Sequence, residues 1–213
     1  MATTITAGNT TNGIVITPDN TGILELKTGT GAGTTAINID ASQVVTGTAG
    51  NLMLVSGTTV ASTSGTSIEF TSIPSWVKRI TVMFQRVRTN STGTFQIQLG
   101  TTSAYDITGY QGAAGVMVNA ASSSVGNIAT GFGIYNGGAL YSLFGHAVIT
   151  LLDSATNLWC FSFSGANGNT ANVIVSGGTK ALGSALTRLR IIASATGSPS
   201  DTFDQGNINI MWE

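Results

Sequence analysis

Apolar residues in the first sixty positions come in short runs separated by turn residues. Ile14-Val15-Ile16, Ile23-Leu24-Glu25-Leu26 and Ala36-Ile37-Asn38-Ile39 stand between Thr11-Asn12-Gly13, Pro18-Asp19-Asn20-Thr21-Gly22 and Thr28-Gly29-Thr30-Gly31-Ala32-Gly33. Each run has the length of one strand, and none has the three-to-four spacing of an amphipathic helix. Three short strands bury too little of their own surface to enclose a core. The pattern predicts a β stalk over residues 1–60 that is completed by further copies of the same segment around a shared axis. Ile14, Ile16, Leu24, Leu26, Ile37 and Ile39 are its expected shared core.

The Ser, Thr and Gly run from Ser56 to Gly65 ends the stalk, with a linker at 61–66 and a second domain over 67–213. Strands there lengthen and gain aromatic residues. Ser67-Ile68-Glu69-Phe70 precedes Ile73-Pro74-Ser75-Trp76, where the proline starts a turn. Arg79 to Gln85 alternates, with Ile80, Val82 and Phe84 on one face; Thr94 to Leu99 alternates equally cleanly. Thr89-Asn90-Ser91-Thr92-Gly93 between them predicts a hairpin. Further strands are expected at Gly131–Tyr135, Leu143–Leu152, Leu158–Phe163, Ala171–Val175, Leu186–Ile192 and Asn207–Trp212, with one short helix near 180–187 as a weaker alternative. The fold class is all-β: a stalk followed by a jelly-roll-like β-sandwich knob.

Composition narrows the function. Charged residues make up 8% of the 213 residues and hydrophobic residues 42%; an ordinary domain carries about 25% charge. Thr, Ser, Asn and Gln must therefore keep the protein in solution, which suits an extracellular or virion-surface protein better than a cytosolic enzyme. A net charge of −1 gives no footprint for nucleic acid. The N-terminal residues Met1 to Thr6 lack the basic and apolar blocks of a signal peptide, and the run Leu140 to Leu152 is too short and too interrupted to span a bilayer, so membrane insertion is not expected. Cys160 is the single cysteine, which excludes an intramolecular disulfide, and its setting among Trp159, Phe161 and Phe163 reads as a buried structural thiol.

Two stretches resemble a known group. Thr4-Ile5-Thr6-Ala7-Gly8-Asn9, with Asn12-Gly13, Asp19 to Gly22 and Gly31 to Ile37, is similar to the short virion fibres and knob proteins of tailed bacteriophages. Ser67 to Phe70, Ile73 to Ile80 and Gly206 to Glu213 resemble a C-terminal β-sandwich of phage tail and surface proteins. The resemblance implies a homotrimer fixed to other virion proteins, of capsid or tail, through its N-terminal region, with the knob outward on the virion surface. Without a long shaft, a capsid decoration or cement protein is the leading expectation; a tail fibre that binds a host-surface glycan or protein receptor is the alternative.

Chemistry is sparse. His146 is the only histidine, and neither a nucleophile elbow nor a zinc-protease motif occurs, so it reads as a residue within a sheet or at a trimer axis. No catalytic residue, metal or cofactor is expected. Asp201, Asp204 and Asn207 are oxygen donors at calcium-like spacing, although a local turn hydrogen bond is the simpler role for Asp201. Gly29 to Gly33 is turn glycine, since no helix follows to meet a phosphate. Lys78, Arg79, Arg86 and Arg88 read as charges guarding an exposed sheet edge. The best binding candidates are Tyr105, Asp106 and Tyr110 in the loop Thr101 to Gly112, followed by Tyr135 and Asn136. Tyrosine joins a flat apolar face to a hydroxyl, which suits sugar rings and protein contacts alike, and packing between subunits is the competing role.

Overall fold

The computed structural model describes residues 24–28, 34–39, 45–47, 50–51, 54–90, 94–118, 121–125, 128–135, 140–168, 172–194 and 199–213. Every regular element among them is a strand, so the helix near 180–187 does not form. The chain divides into two compact units, residues 1–53 and 54–213.

The first unit is an antiparallel sheet of β1 (Leu24–Thr28), β2 (Thr34–Ile39), β3 (Val45–Gly47) and β4 (Gly50–Asn51), in that order. Leu24 pairs with Ile39 and Leu26 with Ile37, and Ile39 pairs in turn with Val45. Directly paired residues point to the same side of a sheet, so the four expected apolar residues and Val45 form one strip. None is fully buried, and Leu26 is 42% exposed. Ile14 and Ile16 lie outside the described residues.

The second unit contains β5 (Val55–Ser56), β6 (Val60–Ala61), β7 (Ser67–Phe70), β8 (Arg79–Thr89), β9 (Thr94–Gly100), β10 (Gln111–Val118), β11 (Ala121–Val125), β12 (Phe132–Tyr135), β13 (Leu143–Asp153), β14 (Leu158–Asn167), β15 (Val173–Ala181), β16 (Arg188–Ala193) and β17 (Phe203–Trp212). The larger sheet runs β11-β10-β15-β14-β13-β8-β17-β5, with β6 also on β17; the smaller runs β12-β9-β16-β7. The pairs β8·β17, β9·β16 and β10·β15 are nested, the earlier half of the unit meeting the later half in reverse order.

The two sheets face each other across an apolar core. Ile80 and Val82 of β8, Ile97 and Leu99 of β9, Ile149 of β13 and Leu189 and Ile191 of β16 are wholly buried. Phe132 of the smaller sheet stacks on Phe161 of the larger at 4.6 Å between centroids, with ring planes 4° apart. Trp159, Phe161 and Phe163 share the inward face of β14, as their alternation requires.

Several expectations change. β8 and β9 do not form a hairpin: β8 pairs with β13 and β17, and β9 pairs with β12 and β16. Two alternating strands joined by a short turn bury their apolar faces equally well across a core as side by side, and alternation cannot tell these apart. β8 is consequently central, so its basic residues do not guard an edge. Arg79 pairs with Glu213 at 3.0 Å and Arg88 with Asp204 at 2.9 Å, at the two ends of the strand. The expected linker is also structural. Val55 and Ser56 pair with Trp212 and Met211, and Val60 and Ala61 with Ile208 and Asn207, so the boundary falls after Met53 rather than at 60.

Candidate functional site

The loop that follows β9 is built by glycine and by returning hydrogen bonds. At Gly100 a Cβ would stand 2.7 Å from Arg188 Cγ and 2.8 Å from the Ala104 carbonyl, which leaves room for glycine alone. Asp106 N–H donates to the Leu99 carbonyl at 2.8 Å and Thr101 N–H to that of Ala104 at 3.0 Å, turning residues 101–106 back over the end of the smaller sheet. Tyr105 lands opposite Gly100.

Tyr105 lies half-buried among charges. Its hydroxyl donates to Glu69 Oε2 at 3.1 Å, and the guanidinium groups of Arg190 and Arg188 stand 4.4 and 5.7 Å from its ring centroid. Burial and the Glu69 carboxylate push its hydroxyl pKa up to about 12, against the opposing pull of the two arginines. Arg190 also donates to Gln98 Oε1 at 2.8 Å, and Gln98 to the Thr130 carbonyl at 2.8 Å. This chain of bonds fixes the ring, as second-layer partners fix a binding residue.

Asp106 is held from the other side. Lys180, only 6% exposed, places Nζ 2.7 Å from Asp106 Oδ2 and donates to the Thr108 carbonyl at 2.8 Å, with the Tyr110 ring 5.2 Å away. Burial raises the Asp106 pKa, but Lys180 and the Thr108 donors together outweigh it and the net shift is downward. A hollow of about 250 Å³ lies between Thr101, Ser103, Ala104, Tyr105 and Asp106 on one side and Gly183 and Ser184 on the other. Hydroxyls, one aromatic ring and one ionised carboxylate line it. That donor set bonds neutral polyhydroxylated ligands and contains no arranged nucleophile and base.

The other candidates sit elsewhere. Tyr110 is 2% exposed, in edge-on contact with Phe132 at 5.0 Å. Its hydroxyl accepts from Leu99 N–H at 2.7 Å and donates to the Asp106 carbonyl at 3.0 Å, so it supports the loop from beneath and offers no face to a ligand. Burial pushes its pKa up. Tyr135 pairs with Thr94, at the far end of β9 from Gly100, about 20 Å along the strand. Asn136 lies outside the described residues. Lys180, Gly183, Arg188 and Arg190 complete the site from outside the loop Thr101 to Gly112. The outward alternation of Arg188 and Arg190 within a buried strand was the legible clue.

His146 is exposed on β13 with Met83 and Ser164 across from it. Asp204 is on β17, bound to Arg88 through both carboxylate oxygens, rather than in a turn beside Asp201. Among the described residues no three His, Cys, Asp or Glu side chains gather as metal ligands. Cys160 is partly exposed on the outward face of β14, because the alternation that buries Trp159 and Phe161 turns it away from the core. No family model, curated protein or solved structure matches the chain.

Proposed function

We propose that this chain is a non-enzymatic structural protein of a tailed-phage virion, a homotrimer displayed on the particle surface as a capsid decoration or cement protein. In this reading residues 1–53 form a stalk completed by three copies, residues 54–213 form a jelly-roll-like knob, and the N-terminal region contacts other virion proteins. The observation that carries it is the apolar strip of Leu24, Leu26, Ile37, Ile39 and Val45, in register on neighbouring strands and incompletely covered by its own chain. Packing three such strips about an axis removes them from water at about 25 cal/mol per Å². The composition, 8% charged, agrees with a protein whose surface is largely taken up by assembly.

Electron cryo-microscopy of particles carrying the chain tests the address. Three-fold density over capsid symmetry axes is the expected result, and absence from purified virions overturns the proposal. Light scattering tests the assembly: the purified chain is a trimer, and Leu24→Asp with Ile37→Asp makes it a monomer.

The hollow at Tyr105 and Asp106 favours a second reading, a tail fibre that binds a host-surface glycan. Density at the tail, with host adsorption blocked by wild-type protein but not by Tyr105→Ala, selects it.

A further inference from the structure

Lys180 meets the carboxylate of Asp106, Arg88 that of Asp204 and Arg79 that of Glu213. Arg188 and Arg190 have no such answer, although both are half-buried. They alternate outward on β16, opposite Gly100 and Gln98 of β9. Among the described residues no carboxylate stands within ion-pair distance of either guanidinium. Arg190 Nε donates to Gln98 Oε1 at 2.8 Å, and Arg188 Nη2 to the Thr102 carbonyl at 2.9 Å. A guanidinium carries five N–H donors, and the described residues take one from each.

Both groups are held in place. Gln98 is wholly buried and bonded in turn to the Thr130 carbonyl. Arg188 Cγ packs over Gly100, where a Cβ would stand 2.7 Å away. The Tyr105 ring gathers the two guanidinium groups, at 4.4 Å from Arg190 and 5.7 Å from Arg188. Glu69 lies opposite Arg190 in register and accepts from the Tyr105 and Ser67 hydroxyls. Its single negative charge offsets one of the two cations and leaves the other. Partly desolvated guanidinium groups with unused donors make an oxyanion site, because they meet carboxylate or phosphate through paired N–H bonds.

Tyr105 also lines the hollow that Asp106 shares. The Asp106 carboxylate repels an anion from the hollow itself, so a charge on a ligand must lie past the Tyr105 ring, on the arginine side. We infer that the ligand of this site is an acidic saccharide, with its hydroxyls in the hollow and one oxyanion, carboxylate or phosphate, on Arg188 and Arg190. The inference rests on the glycan-binding reading of the hollow and deepens it.

The test is saturation-transfer NMR on the intact protein with glucose, glucuronate, and glucose phosphorylated on its primary hydroxyl. The expected result is that one charged sugar binds more tightly than glucose by on the order of tenfold, and which of the two does so assigns the anion. Arg188→Gln with Arg190→Gln removes the difference. Arg188→Gln alone, which leaves the bond from Arg190 to Gln98 intact, loses part of it. Equal binding of all three overturns the inference and leaves the hollow standing as a neutral-glycan site. A preference that neither variant changes also overturns it, because the anion is then held elsewhere. Binding of none of them overturns it too, and the adsorption assay with Tyr105→Ala judges the glycan reading separately.

Discussion

The ammonium of Lys180, buried under the β9–β10 loop, stands 2.7 Å from the carboxylate of Asp106, and that loop carries the hollow beside Tyr105. A buried cation without its partner costs far more than the pair contributes, because the charge stays out of water uncompensated. Asp106→Ala is expected to destabilise the second unit by about 3 kcal/mol. Adding Lys180→Met is expected to recover most of the loss. Thermal melts of the single and double variants check this.

The same pair sets an acid limit. The folded-state pKa of Asp106 lies below its ordinary value, so its contribution is complete above the unfolded pKa and is lost as pH falls through the folded one. The melting temperature of the wild type is expected to fall below about pH 4, and less steeply in Asp106→Ala. Melts taken at descending pH decide it.

Tyr105 sets the alkaline counterpart. Its pKa is raised to about 12, so the folded state holds the proton more tightly. That contribution is complete below the ordinary tyrosine value and is lost as pH rises through about 12. A tyrosinate absorbance step near pH 12 is expected in the wild type and absent in Tyr105→Phe.

Gly206 and Gly183 make an opposed pair. Gly206 has φ of +99°, and a Cβ there would meet the Arg86 and Gln85 carbonyls at 2.5 Å. This is the bulge where β17 shifts register on β8. Gly206→Ala is expected to cost about 3 kcal/mol. At Gly183 a Cβ meets nothing within 4 Å, and Gly183→Ala is expected to stay within about 0.5 kcal/mol. Denaturant midpoints compare the two.

Truncation separates the two boundaries. Removing residues 1–53 leaves β5 and β6 on β17, whereas removing 1–60 strips the pairing of Met211 and Trp212 and the bond from Gly57 N–H to Ile210. The shorter deletion is expected to keep slow amide exchange at the end of β17, and the longer one to lose it. Hydrogen exchange resolved by peptide reads the difference.

The strands that could be read in advance are those whose alternation is strong, such as β8, β9 and β14. β10 escaped because Gln111-Gly112-Ala113-Ala114-Gly115 resembles a loop. Its glycines answer a close approach: a Cβ on Gly112 would stand 2.4 Å from the Gly177 carbonyl. That requirement exists only once β10 lies beside β15. Tyr105 and Asp106 were legible as a candidate from chemistry alone, but Tyr110, a few residues on, has the same chemistry and a supporting role.

What the sequence alone determined is the all-β class, the inward face of each alternating strand, the apolar residues Leu24, Leu26, Ile37 and Ile39, and the scarcity of charge. These are local properties, carried by residue type and period. The tertiary structure alone decided which strands pair, that β8 and β9 belong to opposite sheets, and that Lys180 is buried on Asp106. Each depends on residues far apart in the chain meeting in register, and the free energy of those meetings is not written in any short window.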